Sequence, residues 1–389
     1  MPCPACSSGN TTAFFRVPRA PVFCNVLCDS REQALGTVRG EINLTYCNAC
    51  GLIFNQAFDE SLIHYAGQYE NALHFSPHFR RYAEDLAAEL IVSYGLRGKR
   101  IVELGCGDGS FLSALCRLGG NKGFGFDPAF DPSRAGPLDP NVSIVQKLYG
   151  PDTAGEPADF VCCRHVLEHI SSPFGFVKHV RATVGNRKGT VVFFEVPDVS
   201  WTLEQLGIWD VIYEHCLYLS RASIRRLFAA AGFDVLGTST VYSGQFLTIR
   251  ARPSDIPTKF DSTPTPDDAH FRRLVDNFGG SQRAKVDQWK GTLIDLSRRG
   301  KQAVLWGAGS KGVTFLNTLD TDADSVKCIV DVNPRKQGKF VVGTGQKIIA
   351  PADLKALSPH AVIIMNPVYK DEIAQQLSAL GVKADILIA

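Results

Sequence analysis

The sequence predicts an α/β chain in three parts: a metal-binding N-terminal segment, a parallel-sheet core and a second, smaller parallel-sheet domain. Three observations predict it. Residues 100–104 (RIVEL) form a short apolar β-run that meets the turn Gly105-Cys106-Gly107-Asp108-Gly109 and then a helix-like stretch over 111–118. Residues 303–306 (AVLW) meet a second turn, Gly307-Ala308-Gly309-Ser310-Lys311-Gly312. Before both stand two Cys-x-x-Cys pairs, Cys3/Cys6 and Cys47/Cys50. A strand, a glycine turn and a helix N-terminus form a nucleotide-binding unit, because small residues let backbone N–H groups approach a ligand closely.

Composition sets the outer bounds. The chain has 389 residues, 45% hydrophobic and 21% charged, which suits a soluble protein of two or three domains. Its net charge of +2 points neither to nucleic acid nor to an anionic membrane. It has no apolar run long enough for a membrane span, and its first residues, MPCPACSSGN, do not read as a secretory signal. Twelve cysteines, four of them in Cys-x-x-Cys pairs, argue for a reducing cytoplasm and a metal rather than disulfides.

The segment 1–60 carries the metal reading. Four thiolates, from Cys3, Cys6, Cys47 and Cys50, supply a tetrahedral zinc site, each pair turning two sulfurs onto one ion. Gly51 eases the turn after the second pair. Polar strands such as 39–46 cannot build a large core alone, so a metal staple makes physical sense. No open coordination position is offered, so the zinc is structural. Cys24 and Cys28 compete as ligands, but their Cys-x-x-x-Cys spacing suits the geometry less well.

The bridge, residues 60–95, is aromatic and then helical. Tyr82, Leu86, Leu90 and Ile91 recur at helical spacing, and Ser76-Pro77 is a helix start. Tyr65, Tyr69, His74 and Phe75 form either a lid over a pocket or ordinary packing.

In the core the glycines at 105, 107 and 109 sit two apart, with acids on both sides of the turn. Glu103 and Asp108 repel a pyrophosphate but suit a cationic or hydroxyl-rich ligand. Asp127 ends a second strand-like run, 123–127, and is placed to bind ribose hydroxyls. Residues 159–163 are a further strand, leading into Arg164-His165-Val166-Leu167-Glu168-His169. There a doubly wound sheet exposes a strand end beside its cofactor. Asp159 and Arg164 are assigned to the cofactor on this basis, and His165 to the acceptor. Strands at 190–196 and 245–250 complete an alternating order that argues for a parallel sheet.

Between those strands lies Trp209 to Ser220, with Tyr213, Glu214, His215 and Tyr218 close together. A histidine beside a carboxylate can make a general base and its partner. The bland alternative is a surface turn. The base reading makes His215 the leading base, His169 a second base or enolate-stabilising donor, and Glu214 the orienting partner. Tyr213 and Tyr218 would hydrogen-bond the acceptor.

ELGCGDGS followed by GFD resembles motifs I and II of class I S-adenosylmethionine-dependent methyltransferases. The whole series resembles the sugar C-methyltransferase family: CxxC…CxxCG, ELGCGDGS, HVLEHI, EHxxYxS, then a C-terminal glycine turn. That resemblance implies a class I methyltransferase Rossmann-like core over 61–252, a zinc segment over 1–60 and a C-terminal Rossmann-like domain over 253–389. It implies a nucleotide-linked keto-deoxysugar as acceptor. It places the zinc ligands on Cys3, Cys6, Cys47 and Cys50, the catalytic histidines on His169 and His215 with Glu214 beside the latter, and a lid tyrosine near Tyr69. The chain departs from the pattern where Ile212-Tyr213-Glu214-His215 replaces Tyr-x-Glu-His and where LYL replaces SYF; both changes bear on substrate identity.

The linker that follows is rich in Pro, Asp and Thr, and 271–299 reads as one long helix. Alone, the second turn with Asp331 after it would say NAD and a hydride-transfer enzyme. Because the first turn already accounts for a cofactor, the second is expected to contact the acceptor or the core instead. An O- or N-methyltransferase on a small natural product is the nearer alternative.

Overall fold

The computed structural model describes residues 1–63, 69–133, 135–150, 152–153, 155, 157–255, 260, 263, 266–321 and 324–389. Tyr65 and most of the Pro-rich linker lie outside the described residues. In chain order the strands are β1 (Thr11–Pro21), β2 (Arg39–Cys47), β3 (Ile53–Asn55), β4 (Arg100–Leu104), β5 (Lys122–Phe126), β6 (Val142–Val145), β7 (Phe160–Arg164) and β8 (Val191–Pro197). Then come β9 (Leu217–Tyr218), β10 (Phe233–Val241), β11 (Phe246–Pro253), β12 (Ala303–Trp306), β13 (Ile329–Val330), β14 (Ile348–Ile349), β15 (Ala361–Ile364) and β16 (Asp385–Ile388).

They form three sheets. The central one has seven strands in the order β10-β11-β8-β7-β4-β5-β6. From β8 to β6 it is parallel, and β11 and β10 are antiparallel additions. Its middle strands read VCC and VVFF because both faces are covered, as parallel sheets require. Ile101, Phe160, Cys162 and Phe193 pack to one side with Leu86, Leu90 and Leu115. The alternate residues Val102, Val161, Cys163 and Phe194 pack to the other side with Val177, Val180 and Leu227. Helix Pro77–Tyr94 starts where Ser76 accepts a hydrogen bond from Phe79 N and stops at Gly95, whose left-handed φ of 61° closes the last turn.

The N-terminal sheet has the order β1-β2-β3-β9. Its last strand comes from the core: Ile53 and Phe54 pair with Tyr218 and Leu217. The sequence put polar strands here and no large core, and the structure supplies the missing apolar mass from elsewhere. Phe15 meets Phe278 of helix Pro266–Arg298 at 5.3 Å, and Trp209 meets Phe315 at 4.8 Å, so one apolar cluster runs through the N-terminal sheet, the loop before β9 and the C-terminal domain.

The C-terminal sheet is wholly parallel, in the order β14-β13-β12-β15-β16. Polar ties hold it against the core. Lys311 Nζ lies 2.8 Å from Asp210, Gln245 and Asn366 exchange hydrogen bonds of 2.9 and 2.8 Å, and Tyr242 donates to Tyr369 at 2.7 Å.

Candidate functional site

The C-terminal ends of β4, β5, β7 and β8 bring the site together. After β4 the chain turns through Gly105 and Gly107 with φ of 62° and 54°, in the left-handed region. A Cβ at Gly105 would lie 2.3 Å from Val166, so that glycine is required by packing. A Cβ at Gly107 would meet nothing within 4 Å, so that position faces an open cradle. Asp127 sets the cradle's far wall: its carboxylate accepts from Gly107 N at 2.9 Å and from Ala129 N at 2.8 Å. A carboxylate has about four lone-pair positions, so acceptor capacity remains for hydroxyls. Glu103 lies under the turn, buried, with one oxygen lacking a hydrogen-bond partner. Burial raises its pKa to about 8, against the opposing charge of Arg164 and with that of Asp108 in support. Asp108 pairs with His74 Nδ1 at 2.9 Å, so the bridge closes onto the turn.

The other cofactor assignments land elsewhere. Asp159 precedes β7, and its carboxylate accepts from Arg100 N at 2.9 Å. Arg100 begins β4 and Asp159 stands just before β7, so Asp159 sits on the sheet edge opposite the cradle. Arg164 ends β7 but turns inward. It lies 2.9 Å from Glu195 and 4.0 Å above the Phe111 ring, neutralising buried acids rather than lining the cradle.

His169 and His215 meet edge to face, with ring centroids 4.8 Å apart. His169 comes from the turn after β7 and His215 from the loop before β9. His169 Nδ1 lies 2.9 Å from the Glu214 carbonyl oxygen, an acceptor only, so Nδ1 carries the hydrogen and Nε2 the lone pair. Burial lowers His169 to about 4, and it holds His215 well below the usual imidazole range. Both rings are therefore neutral and basic in form at neutral pH.

Glu214 does not orient His215. The two residues stand in a turn, and the Glu214 carboxylate is directed elsewhere, accepting from Cys24 N at 2.9 Å and from Tyr69. Tyr69, itself packed 6.0 Å from Phe23, thus reaches the loop through Glu214. Nor do the two loop tyrosines face a ligand. Tyr213 OH accepts from Asp59 N at 2.8 Å, and its ring fills the space a Cβ on Gly40 would take. Tyr218 OH accepts from Ile212 N at 3.1 Å and donates to Ile212 O at 3.0 Å. Both hydroxyls brace the His215 turn.

Two carboxylates escaped the sequence reading. Glu168 stands between the motif histidines, and a carboxylate oxygen of it and a ring nitrogen each of His169 and His215 all lie within 4.8 Å of one another. Glu195 is the one acid in the apolar run of β8. It lies 2.7 Å from His165 Nε2, 2.9 Å from Arg164, and accepts from Tyr82 OH. His165, assigned to the acceptor, is instead held between Glu195 and Glu168. The only forewarning was position: HVLEH places an acid in the strand-end turn.

The four knuckle cysteines converge. Cys3 and Cys50 sulfurs are 3.6 Å apart, as are those of Cys6 and Cys47. Those separations exclude a disulfide, whose bond is about 2.05 Å, and approach the sulfur–sulfur edge of about 3.8 Å in a tetrahedral zinc–thiolate site. Contact with Cys3 holds Cys47 far down toward thiolate. Cys24 and Cys28 lie apart from this cluster: Cys24 contacts Thr314, and Cys28 bridges to Phe340.

The second glycine turn is turned toward the protein. Ala308 N donates to Asp331 at 2.7 Å, Asn25 donates to Ser310 at 2.8 Å, and Lys311 reaches Asp210 and Gln245.

Comparison with known proteins decides what kind of core this is. Residues 77–238 match the family model described as a methyltransferase domain. The core is a methyltransferase domain. Residues 271–388 match a second model, described as a C-methyltransferase C-terminal domain. The methyltransferase domain has the class I fold, a seven-stranded mixed sheet with its glycine turn after β4. Among similar proteins, the ubiquinone biosynthesis O-methyltransferase of Citrobacter koseri is 30% identical over 125 residues, covering 30% of this chain and 50% of that one. The corresponding protein of Escherichia coli O9:H4 is 30% identical over 128 residues, covering 30% and 52%. The match thus spans about half the length of these relatives. Similar solved structures include magnesium protoporphyrin IX methyltransferase from Synechocystis PCC 6803 with bound SAH, at 16% identity and a TM-score of 0.33, covering 46% of this chain and 84% of that one. Another is a SAM-dependent methyltransferase from Aquifex aeolicus, at 15% identity and a TM-score of 0.35, covering 46% and 94%. Among the described residues no helix is long and apolar enough to cross a membrane.

Proposed function

We propose that the chain is a cytoplasmic S-adenosylmethionine-dependent C-methyltransferase acting on a carbon next to a ketone, in a nucleotide-linked deoxysugar or a related natural-product intermediate. The observation that carries the reading is the neutral His169–His215 pair at the sheet edge that also holds the glycine cradle. Methylation on oxygen or nitrogen needs a weaker base than carbon does. The C-methyltransferase C-terminal domain, packed on the core beside the loop that carries His215, also favours carbon.

The residues present fit the donor. Open space above Gly107, spare acceptor capacity on Asp127 and the unpartnered oxygen of Glu103 suit a ribose and an ammonium group. When bound, S-adenosylmethionine supplies an electrophilic methyl group on a sulfonium. His215 takes the proton from the acceptor's α-carbon, and His169, whose only hydrogen is committed to the Glu214 carbonyl, serves as the second base through Nε2. Glu214, tied to Cys24 and Tyr69, and the hydroxyls of Tyr213 and Tyr218 hold the loop that presents His215. Alignment and exclusion of water provide the rest of the rate, since displacement at the methyl carbon needs no other chemical help. Product analysis with labelled methyl donor and a panel of nucleotide-linked ketosugars tests the reading: label on carbon supports it, and label only on oxygen or nitrogen overturns it.

The cysteine cluster is assigned to structural zinc. All four sites on the ion are filled by Cys3, Cys6, Cys47 and Cys50, leaving no place for substrate. Purified protein is expected to hold about one zinc per chain, measured by elemental analysis. Cys47→Ser is expected to lower thermal stability and solubility well before kcat changes. Protein free of zinc when purified without chelator would dismiss this assignment.

A further inference from the structure

Glu168 has no part in the reaction as described, yet it is the acid nearest its centre. It is buried, and its Oε2 has no hydrogen-bond partner. On one side lie His169 and His215, within the 4.8 Å cluster. On the other lies His165, with Nδ1 3.8 Å from Glu168 Oε1. The His165 side chain is 28% exposed, against 3% for that of Glu168. The His165 ring is therefore more open to solvent than Glu168, although its Nε2 is buried against Glu195. Beyond it stands Glu195, held ionised near pKa 2 because Arg164, His165 and Tyr82 outweigh the effect of burial. Glu168 also faces the Cys163 and Cys216 thiols, both pushed up by burial and neutral at working pH.

We propose that Glu168 is a proton relay, passing the proton taken by His215 to His165 and from there to water. The inference rests on the reading of His215 as the carbon base. The acceptor's C–H bond breaks, its electron pair stays on the acceptor as the enolate, and an N–H bond forms on His215. That N–H breaks as Glu168 gains an O–H. The O–H breaks in turn as His165 gains its N–H, and His165 releases the proton to solvent. Each step moves one proton; the enolate keeps its negative charge until it is alkylated, and no unpaired imidazolium, which would be costly there, remains in the apolar site. Glu195 balances the charge on His165. Burial also raises Glu168 to about 7, above the depressed His215, so the transfer from His215 to Glu168 runs downhill.

The test is solvent exchange without methyl donor, using a nucleotide-linked 4-ketosugar as probe in deuterated water. Wild type is expected to wash deuterium into the α-position. Glu168→Gln is expected to slow that washout about tenfold or more, with donor affinity and melting temperature unchanged. Glu168→Asp is expected to recover part of the rate, and added small-molecule imidazole to restore exchange in Glu168→Gln. Wild-type exchange rates in Glu168→Gln would overturn the relay and leave His215 as base. Absence of exchange in wild type would overturn the base reading and the relay together. Exchange abolished by a chelator, with the cysteine zinc retained, would make the cluster a metal site and also overturn the relay.

Discussion

His215→Ala is expected to lower kcat by about 10²–10⁴-fold, the range for loss of a general base, while S-adenosylmethionine affinity stays at the wild-type value. His169→Ala is expected to lose less. The two rings are in contact, so the double variant should cost less than the product of the singles. The pH profile carries a signed expectation. His215 acts unprotonated, and burial with the neighbouring histidines holds its pKa well below the ordinary imidazole value. His215 alone would therefore keep activity below pH 6.5, about where a free histidine gains its proton, and lose it only as pH drops through the depressed value; a fall near pH 7 belongs to protonation of Glu168. The measurements are steady-state kinetics against pH and calorimetry of donor binding. Full turnover in His215→Ala would move the base elsewhere.

Gly107→Val is expected to abolish donor binding. The left-handed φ of 54° penalises a β-branched residue, and the new side chain projects into the cradle, where no protein atom lies within 4 Å of its Cβ. Asp127→Ala is expected to weaken the donor by about 1–3 kcal/mol, the scale of a lost hydrogen bond to a charged group. The same substitution also frees the Gly107 and Ala129 amides, so the turn loosens. Calorimetry on folded variants measures both. Unchanged affinity in the two would place the donor away from this turn.

The parts legible in the sequence are those whose physics is local. The run at 100–104, its glycine turn and the Ser76-Pro77 helix start each involve residues a few positions apart, and each stands where expected. Strand β1 went unseen because Pro18 and register shifts at Ala13/Phe15 and Val17/Ala20 erase its alternation. His169 and His215 meet because one follows β7 and the other follows the neighbouring β8, an order that a doubly wound sheet constrains. The direction of single side chains was not readable. Glu214 and His215 are adjacent in sequence but serve different neighbours. The hydroxyls of Tyr213 and Tyr218 find backbone partners that only tertiary structure provides. Glu168 and Glu195 look like ordinary charges in the sequence, and burial alone makes them unusual.

The pairing of Leu217 and Tyr218 with β3 sets where this chain can be recombined with relatives. The strand β3 begins three residues after the last knuckle cysteine, and β9 begins two residues after His215. A crossover at residue 60 would separate those partners, leaving β9 with an unmatched edge and the His215 turn without its backing. Exchangeable blocks must therefore carry residues 1–60 and the loop before β9 from the same parent. Chimeras that respect this rule should retain a defined acceptor preference, and those that break it should lose folding yield first.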